Sequence, residues 1–318
     1  MNTPVIQTEK LVKEFPIASK ALREKKKLLH AVNDVSISVP KGGIFGVVGE
    51  SGCGKSTLGR CLLRLETITG GSVRFQGRDI TALSGKNLLP LRRKMQMIFQ
   101  NPYSSFNPKQ KIGSALAEVC KVHKIPQAQE NISQLLSDIN LTEDVLHRAP
   151  GELSGGQLQR LAIARALLLA PDFIVADEPV SALDVSVQAQ ILNLLLDLRE
   201  KFSLTMLFIS HEMTVVRHLC DTVAVMYLGT VVEQAETDEL FRNLLHPYTQ
   251  TLLSAVPSMD PERKKQRIIL KGDPPSAIDM PAGCPFSGRC PRYQPLCSGS
   301  RPPLRDVGNG HLVACHLV

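Results

Sequence analysis

The chain contains no tryptophan, and aromatic residues make up only 4% of its 318 residues. Its short basic runs, Lys25–Lys27 and Arg263–Lys265, are not interleaved with aromatic side chains, as a base-stacking nucleic-acid surface requires. The net charge of +7 is therefore better explained by a solvated surface or by attraction to acidic lipid headgroups. We expect no nucleic-acid partner.

The sequence also lacks a hydrophobic run of about 20 residues, the length that a membrane-spanning helix needs. Its longest uncharged stretch, Asn243–Met259, is interrupted by Pro247, Pro257 and several hydroxyl side chains. The first ten residues, MNTPVIQTEK, lack the apolar core of a signal peptide. We therefore expect a cytosolic chain, in which the eight cysteines favour thiols or metal ligands over disulfides.

Short apolar runs alternate with amphipathic stretches along the chain, which is typical of an α/β domain. The predicted strands are rich in β-branched residues and are Val35–Val39, Ile44–Val48, Met95–Phe99, Phe173–Ala176, Thr205–Ile209 and Val223–Tyr227. Helices are predicted over Gly151–Leu169, with a start marked by Ser154, and over Val185–Phe202. Leu228-Gly229 separates two apolar runs and predicts a hairpin turn.

A phosphate-binding loop is predicted directly after the strand Ile44–Val48. Its residues are Gly49, Glu50, Ser51, Gly52, Cys53, Gly54, Lys55, Ser56 and Thr57. They fit the pattern G-x-x-x-x-G-K-[ST], in which glycines let backbone N–H groups surround phosphates at a helix N-terminus. Lys55 is expected to reach the β and γ phosphates, Ser56 to hold Mg²⁺, and Thr57 to donate to an inner phosphate.

An acidic pair ends a second apolar strand, as phosphate-loop enzymes require for their magnesium ion. In FIVADE, Asp177 is expected to hold Mg²⁺ and Glu178 to orient and deprotonate the attacking water. A further glycine-containing helix start follows Leu153, formed by Ser154, Gly155, Gly156 and Gln157. Because a serine cap and two glycines expose N–H groups, this start predicts a second anion site.

The segment after Glu152 resembles the signature of ABC ATPases: it reads LSGGQ followed by LQRLAIARALLLAPDFIVADEP. In that family, the LSGGQ motif closes over ATP bound to the opposite cassette. The resemblance implies an α/β P-loop ABC fold with a RecA-like core, an antiparallel β subdomain and a helical subdomain at about residues 101–170. It also implies that ATP and Mg²⁺ are bound and that a second ABC ATPase subunit, a homologous heterodimer partner, is required.

The same resemblance assigns roles to further residues. Gln100 resembles the glutamine that senses Mg²⁺ and water and connects the site to the membrane subunits. Asp184, in SALD, resembles the loop that crosses the dimer seam, and His211 resembles the histidine that contacts the γ-phosphate. Catalytic roles thus fall on Lys55, Gln100, Glu178 and His211. Phe15 either stacks on adenine or is a simple core residue, and a long insertion, 18–27, follows it.

The chain also resembles the ATP-binding subunits of dipeptide and oligopeptide permeases in several longer segments: GVVGESGCGKSTLGR, FQNPYSSFNP, VMYLGTVVE and HPYTQTLLSAVP. Among these subunits, FQNPYSSFNP and the cysteine-bearing tail favour the second ATPase of the dipeptide type. The resemblance implies peptide import at the cytoplasmic face of the membrane, with two permease subunits and a periplasmic or lipid-anchored binding protein. Related engines serve nickel, glutathione, heme or antimicrobial peptides. A soluble ABC protein that acts on ribosomes usually carries two cassettes, whereas this chain has one phosphate loop.

The domain boundary is expected near residue 245, with a cassette over 1–245 and a proline-rich C-terminal extension over 246–318. Four cysteines lie in that extension, Cys284, Cys290, Cys297 and Cys315. Their spacing fits neither the usual zinc motifs nor the ferredoxin motifs. The resemblance implies a 4Fe–4S cluster, and zinc or free thiols are the alternatives. Cys53 lies beside Lys55 and a helix N-terminus, both of which can lower a thiol pKa, so we expect alkylation of Cys53 to block ATP binding and ATP to protect it.

Overall fold

The computed structural model describes residues 3–17, 27–255, 268–270, 272–273 and 275–318. The chain divides into two compact units, which we name after their motifs. The acidic-strand unit comprises Met1–Val5, Val39–Gly43 and Ala82–Ile209, and the phosphate-loop unit comprises Ile6–Ser38, Ile44–Thr81 and Ser210–Val318. None of the helices described is long and apolar enough to cross a bilayer. The insertion at 18–27 lies outside the described residues except for Lys27.

Bounds of the elements follow in chain order. The strands are β1 (Ile6–Ile17), β2 (Lys27–Val35), β3 (Ser38–Val39), β4 (Ile44–Val48), β5 (Gly70–Phe75), β6 (Arg78–Asp79), β7 (Met95–Ile98), β8 (Phe173–Asp177), β9 (Thr205–Ser210), β10 (Thr222–Tyr227), β11 (Thr230–Glu236), β12 (Arg305–Asp306) and β13 (Leu312–Val313). The helices are α1 (Lys55–Leu62), α2 (Leu89–Lys94), α3 (Ile112–Val122), α4 (Ala128–Asp138), α5 (Gly155–Leu167), α6 (Val185–Phe202), α7 (Met213–Leu219), α8 (Thr237–Arg242) and α9 (Pro247–Ser254).

The acidic-strand unit is built on three parallel strands in the order β7-β8-β9, with Met95 opposite Phe173 and Phe173 opposite Thr205. Every residue of β8 is buried, which explains why its sequence is an unbroken apolar run until Asp177. Asp184 is the N-cap of α6, where its carboxylate accepts the Val187 N–H, and Ser203, in a left-handed conformation, is the C-cap after Phe202. This helix has the bounds that its apolar spacing predicts.

The phosphate-loop unit contains an antiparallel sheet in the order β2-β1-β5-β6. Its second sheet portion pairs β4 with β10 in parallel and continues through β11 and β13 to β12 in antiparallel pairing. Leu228 and Gly229 both have positive φ, 46° and 77°, between β10 and β11. Two such residues form the turn whose twist matches a hairpin, as the sequence predicts.

One predicted strand is placed wrongly. The apolar run Val35–Val39 is divided into the end of β2 and the short strand β3, because Ser36 and Ile37 belong to neither strand. The helix predicted between Gly151 and Leu169 begins at Gly155 and has Ser154 as its N-cap, as predicted, whereas Pro150–Glu152 forms a separate short 3₁₀ turn.

The C-terminal extension is held to the phosphate-loop unit by a buried carboxylate on β11. Glu233, with no exposed surface, accepts hydrogen bonds from the backbone N–H groups of Leu245 at 2.8 Å and His246 at 3.2 Å. His311 Nε2 lies 2.9 Å from the same carboxylate and is also buried. Because buried polar groups must be paired to be tolerated, these bonds fix where α9 starts and where the tail returns to the sheet.

We expect His246 to make the fold less stable in acid. Burial lowers the pKa of His246 from 6.5 to about 3, so the unfolded chain takes up the proton first as the pH falls. The stability that neutral His246 contributes is present above pH 6.5 and is lost as the pH drops toward 3, by about 1.4 kcal/mol per pH unit. In His246→Asn, whose amide oxygen can accept the Tyr248 N–H that His246 Nδ1 now accepts, this loss is absent.

The measurement is denaturant unfolding of wild type and His246→Asn at pH 7.5 and pH 5. The difference between their unfolding free energies should change by about 2 kcal/mol over this range, in favour of the variant at pH 5. The same exchange at His218, which is exposed, is the matched control. Parallel pH profiles for wild type and His246→Asn would contradict the prediction.

Candidate functional site

The phosphate loop leaves a helix N-terminus open to a ligand. It connects β4 to α1, whose N-cap is Gly54 with φ 103°, and no side chain caps the first turn. No acidic residue lies in that turn. The first N–H groups of a helix need partners from outside it, and together with the helix dipole they attract an anion. The loop therefore has the geometry and the charge of a phosphate site.

Two glycines of the loop are required by close backbone contacts. A Cβ atom on Gly49 would lie 2.1 Å from the Met226 carbonyl oxygen, and one on Gly54 would lie 2.0 Å from the Ala31 carbonyl oxygen. Any side chain would therefore push the loop away from β10 or β2. The loop is a cradle that keeps its shape only with glycine at these positions.

Lys55 places a positive charge in this cradle. The residue is 4% exposed, and its Nζ donates to the carbonyl oxygens of Gly49 at 2.8 Å and Glu50 at 3.0 Å. Carbonyl oxygens are weaker partners for an ammonium group than phosphate oxygens, which carry full charge. An arriving phosphate can thus replace them as the partner of Nζ.

The other predicted residues of the phosphate-loop unit have less decisive surroundings. Ser56 and Thr57 are half-buried in the first turn of α1. Phe15 lies on β1 opposite Leu29, with Lys13 Nζ 4.3 Å from the centre of its ring. His211 directly follows β9. Its side chain is 47% exposed, and its Nε2 lies 3.9 Å from Glu212 Oε1.

In the acidic-strand unit, the end of β8 brings two predicted residues together. Asp177 is the last residue of β8 and is buried. Glu178 follows with φ 46°, an uncommon conformation for a residue with a side chain. Gln100 Nε2 donates to Glu178 Oε2 at 3.0 Å and lies 3.3 Å from Ser181 Oγ. Such backbone strain clusters at functional sites, and here it accompanies a glutamine aimed at the carboxylate.

The signature segment forms a well-defined helix start. Ser154 Oγ accepts the Gln157 N–H at 3.2 Å, and Gln157 Oε1 accepts the Ser154 N–H at 3.0 Å, which is a capping box. A Cβ atom on Gly156 would lie 2.6 Å from Val187 Cγ1 of α6, so glycine permits this close packing. Ser154 and Gly155 remain exposed.

The remaining predicted residue of this unit, Asp184, serves as the N-cap of α6. Its Oδ1 accepts the Val187 N–H at 3.0 Å and the Ser186 hydroxyl at 2.7 Å. These bonds lower the pKa of the Asp184 carboxyl, the Ser186 hydroxyl contributing most.

The expected reactivity of Cys53 is corrected by its burial. Cys53 is 6% exposed, and desolvation raises the pKa of its thiol more than Lys55 lowers it. The sequence shows the neighbouring lysine but not the depth of the side chain. The prediction of a lowered pKa is therefore wrong.

We expect maleimide at neutral pH to modify Cys53 slowly in the native chain. A protonated thiol is a poor nucleophile, and the buried sulfur is difficult to reach. Cys290, which is less buried, is expected to react before Cys53, and mass spectrometry of the digested chain measures the order. Modification of Cys53 ahead of Cys290 would show that the loop opens more readily than its packing indicates.

The iron–sulfur cluster expected in the extension is not supported. Among the residues that the structure describes, no group of three or more histidines, cysteines, aspartates or glutamates is placed to hold a metal ion. Cys284, Cys297 and Cys315 are buried free cysteines. The expectation of 4Fe–4S on these cysteines and Cys290 is therefore wrong.

Two residues at the phosphate loop were missed by sequence reasoning. Tyr248 Oη accepts the backbone N–H of Glu50 at 2.9 Å, and Arg289 forms an ion pair with the Glu50 carboxylate at 2.8 Å. Tyr248 belongs to the HPYTQ segment, which gave a family signal but no role. Nothing in the sequence near Arg289 indicates its partner, which lies 239 positions away.

Comparison with known families agrees with the arrangement of these motifs. A model described as ABC transporter matches residues 32–181. A second model, described as oligopeptide/dipeptide transporter, C-terminal region, matches residues 232–297. The first range contains the phosphate loop, the signature segment and the acidic strand, and the second contains Tyr248 and Arg289.

Individual relatives match along the whole chain. The dipeptide transport ATP-binding protein DppF of Escherichia coli (strain K12) is 44% identical over 100% of this chain and 96% of its own length. The oligopeptide transport ATP-binding protein AppF of Bacillus subtilis (strain 168) is 46% identical over 98% of this chain and 97% of its own. The dimeric ATP-binding cassette MJ0796, solved with ADP and phosphate, is 26% identical with a TM-score of 0.65, covering 73% of this chain and 98% of that one. The chain therefore belongs to the ATP-binding subunits of oligopeptide and dipeptide ABC transporters, a family of ATPases coupled to transport.

Proposed function

We propose that this chain hydrolyses ATP to drive the uptake of peptides, of the dipeptide or oligopeptide type, through a membrane complex. The observation that carries the proposal is the succession of two family matches, the cassette at 32–181 and the peptide-transporter region at 232–297. A cassette alone is shared by transporters of many substrates, whereas the second match is described as a region of oligopeptide and dipeptide transporters. The division into a cassette over 1–245 and an extension over 246–318 belongs to this proposal.

The phosphate-loop residues would bind the nucleotide. The backbone N–H groups of Gly49–Thr57 and the Lys55 ammonium would hold the phosphates, and Phe15 would contact the adenine. The cradle that Gly49 and Gly54 maintain fits an anion, since a Cβ atom at either position would collide with backbone. Ser56, Gln100 and Asp177 would hold Mg²⁺, which neutralises charge on the phosphates when it is bound.

Glu178 would accept a proton from the attacking water. In ABC cassettes a phosphate loop and an acidic strand end serve one ATP molecule, and Gln100 already lies 3.0 Å from the Glu178 carboxylate. The amide can orient that carboxylate and the water beside it. His211 would contact the γ-phosphate. Phosphoryl transfer depends on such positioning and charge stabilisation more than on covalent chemistry.

A second cassette, identical or homologous, would complete each site. Ser154 and Gly155 are exposed at the start of α5, although the loop Gly49–Thr57 already provides a phosphate site. The exposed start is therefore available to ATP on a partner, with Gln157 and Asp184 shaping it. The relative MJ0796 was itself solved as a dimer.

Two permease subunits would dock on the acidic-strand unit. A groove of about 410 Å³ lies there, and its lining includes Phe106, Val119, Val122 and Arg165. Val122 is 68% exposed, which is unusual for a large apolar side chain and is consistent with a partner surface. Gln100 precedes this groove in the chain, so movement at Glu178 can reach the permeases. The chain would then sit at the cytoplasmic face of the membrane, with peptide selection left to the permeases and an external binding protein.

Deletion of this subunit tests the proposal. A strain that depends on a defined dipeptide as its source of an amino acid should stop growing without the subunit and resume growth when the intact chain is returned. Glu178→Gln should fail to restore growth although it is made in normal amounts. Detergent-extracted complexes should contain the permease chains. Normal growth on peptides after deletion, with a defect on another solute, would contradict the peptide assignment.

A further inference from the structure

The C-terminal extension reaches the phosphate loop through Tyr248. This side chain has no exposed surface, and its hydroxyl oxygen accepts the backbone N–H of Glu50 at 2.9 Å. Glu50 is the second residue of the loop. Burial raises the pKa of the Tyr248 hydroxyl, so the group stays neutral and can keep this bond at physiological pH.

A second residue of the extension, Arg289, binds the side chain of Glu50. Arg289 Nη1 donates to Glu50 Oε2 at 2.8 Å and Nη2 lies 3.3 Å from Oε1, a bidentate arrangement. The two side chains are 10% and 29% exposed. A bidentate guanidinium–carboxylate pair that is largely shielded from water is stronger and more directional than an exposed ion pair.

Aromatic packing holds Tyr248 and the segment before Arg289 in place. The ring of Tyr248 lies 4.7 Å from the ring of Tyr227 and 5.3 Å from that of Phe286. Phe286 directly precedes the 3₁₀ turn Ser287–Arg289, and the Arg289 N–H donates to its carbonyl oxygen at 3.0 Å. The hydroxyl and the guanidinium thus arise from one packed cluster rather than from two mobile side chains.

The loop needs such support when its lysine changes partners. Lys55 Nζ now holds the carbonyl oxygens of Gly49 and Glu50, and on binding phosphate it must give up at least part of these contacts. The peptide groups around Glu50 then keep their position only through other bonds. Tyr248 and Arg289 supply those bonds from outside the loop.

We propose that Tyr248 and Arg289 are positioning residues for the phosphate loop, through which the C-terminal extension sets the affinity for ATP. This inference rests on the proposed function, since it takes ATP as the ligand of the loop. Binding linkage is reciprocal. A nucleotide that tightens the loop must therefore also tighten the attachment of α9, the helix that carries Tyr248.

The test compares two pairs of matched variants. Tyr248→Phe removes the hydroxyl and keeps the ring, and its control is Tyr293→Phe, which removes a hydroxyl bonded to Ser298 elsewhere in the extension. Arg289→Gln removes the guanidinium fork that forms the bidentate pair with Glu50. Its control is Arg301→Gln, which removes a guanidinium that donates to the Asn33 carbonyl oxygen. Titration of the full chain with Mg·ATP gives the dissociation constant, and thermal unfolding is measured in parallel.

Tyr248→Phe and Arg289→Gln should each raise the dissociation constant for ATP by about threefold to tenfold, the effect of one or two hydrogen bonds. Arg289→Lys, which keeps the charge but not the fork, should fall between wild type and Arg289→Gln. In Glu50→Gln, the further change Arg289→Gln should have little additional effect, because the two residues act as a pair. Tyr293→Phe and Arg301→Gln should bind ATP as wild type does.

If Tyr248 and Arg289 had only a structural role, the test and control variants would lose stability alike, and their affinities for ATP would not differ in the way described. That result would overturn the inference. A second readout uses the wild-type chain and does not depend on the variants folding. Hydrogen exchange of the α9 amides should slow when ATP is bound, and unchanged exchange would also overturn it. If the wild-type chain binds no ATP at all, the proposed function fails instead.

Discussion

Replacement of Glu178 by glutamine is expected to lower the rate of ATP hydrolysis by about 10²–10⁴, the usual contribution of a general base. The amide has the shape of the carboxylate but cannot accept the proton of the attacking water. It can still bond to Gln100, which now lies 3.0 Å from the carboxylate, so the local structure should persist. ATP binding should stay close to that of wild type, since the phosphates are held by the loop.

Single-turnover hydrolysis in the assembled complex measures the rate, and nucleotide titration measures the affinity. The matched control is Glu200→Gln on α6, an exposed glutamate outside the candidate site, which should hydrolyse ATP normally. A Glu178→Gln complex that keeps a large part of the wild-type rate would show that another group acts as the base.

Replacement of Lys55 by methionine is expected to weaken nucleotide binding, whereas Glu178→Gln is expected to slow hydrolysis and leave binding intact. Methionine keeps much of the volume of the buried lysine stem but removes the ammonium group that lies among the loop carbonyls. Removing one partner of a desolvated charge pair costs about 2–5 kcal/mol, which corresponds to a loss of affinity of about 30-fold or more.

The affinity for Mg·ATP is measured by titration, with Lys41→Met as the control because Lys41 is exposed and lies outside the loop. Comparison of the two active-site variants separates binding from chemistry. Glu178→Gln should bind ATP without cleaving it, whereas Lys55→Met should do neither at ordinary ATP concentrations. Wild-type affinity in Lys55→Met would refute the assignment of Gly49–Thr57 as the phosphate site.

Elements whose signal is local could be predicted well from the sequence. The strand Ile44–Val48 and the helix Val185–Phe202 have the predicted bounds, because a buried parallel strand is continuously apolar and a helix repeats its apolar residues at 3.6-residue spacing. The start of α5 was also predicted, because Ser154 marks it in the sequence and is its N-cap in the structure. Ser154 and Gln157 form a capping box, and the serine and glutamine at this spacing are a local signal of a helix start.

Interactions between distant parts of the chain could not be predicted in this way. Arg289 and Glu50 are 239 positions apart, and nothing in either neighbourhood specifies the other. Similarly, the spacing of the extension cysteines does not determine whether their thiols converge, so the iron–sulfur expectation depended on resemblance alone. The raised pKa of Cys53 arises mainly from desolvation, which depends on packing that the neighbouring Lys55 does not reveal.

Glu178 shows how far local reasoning extends within the site itself. Its place after an apolar strand predicts its role, but the left-handed backbone at φ 46° and the bond from Gln100 required the fold. The sequence separates these two residues by 78 positions, and the parallel pairing of β7 with β8 brings the following loops to one edge. The strained backbone of Glu178 and its bond from Gln100 support the catalytic role that we propose for it.

Coupled transport in reconstituted vesicles tests the central claim most directly. The complete complex is placed in vesicles with ATP on the side of this subunit, and uptake of a labelled dipeptide is recorded together with phosphate release. We expect the wild-type complex to accumulate the peptide only with ATP, and the Glu178→Gln complex to bind ATP while both uptake and phosphate release fall together. Peptide accumulation that continues in the Glu178→Gln complex would contradict the claim that this chain supplies the energy for import.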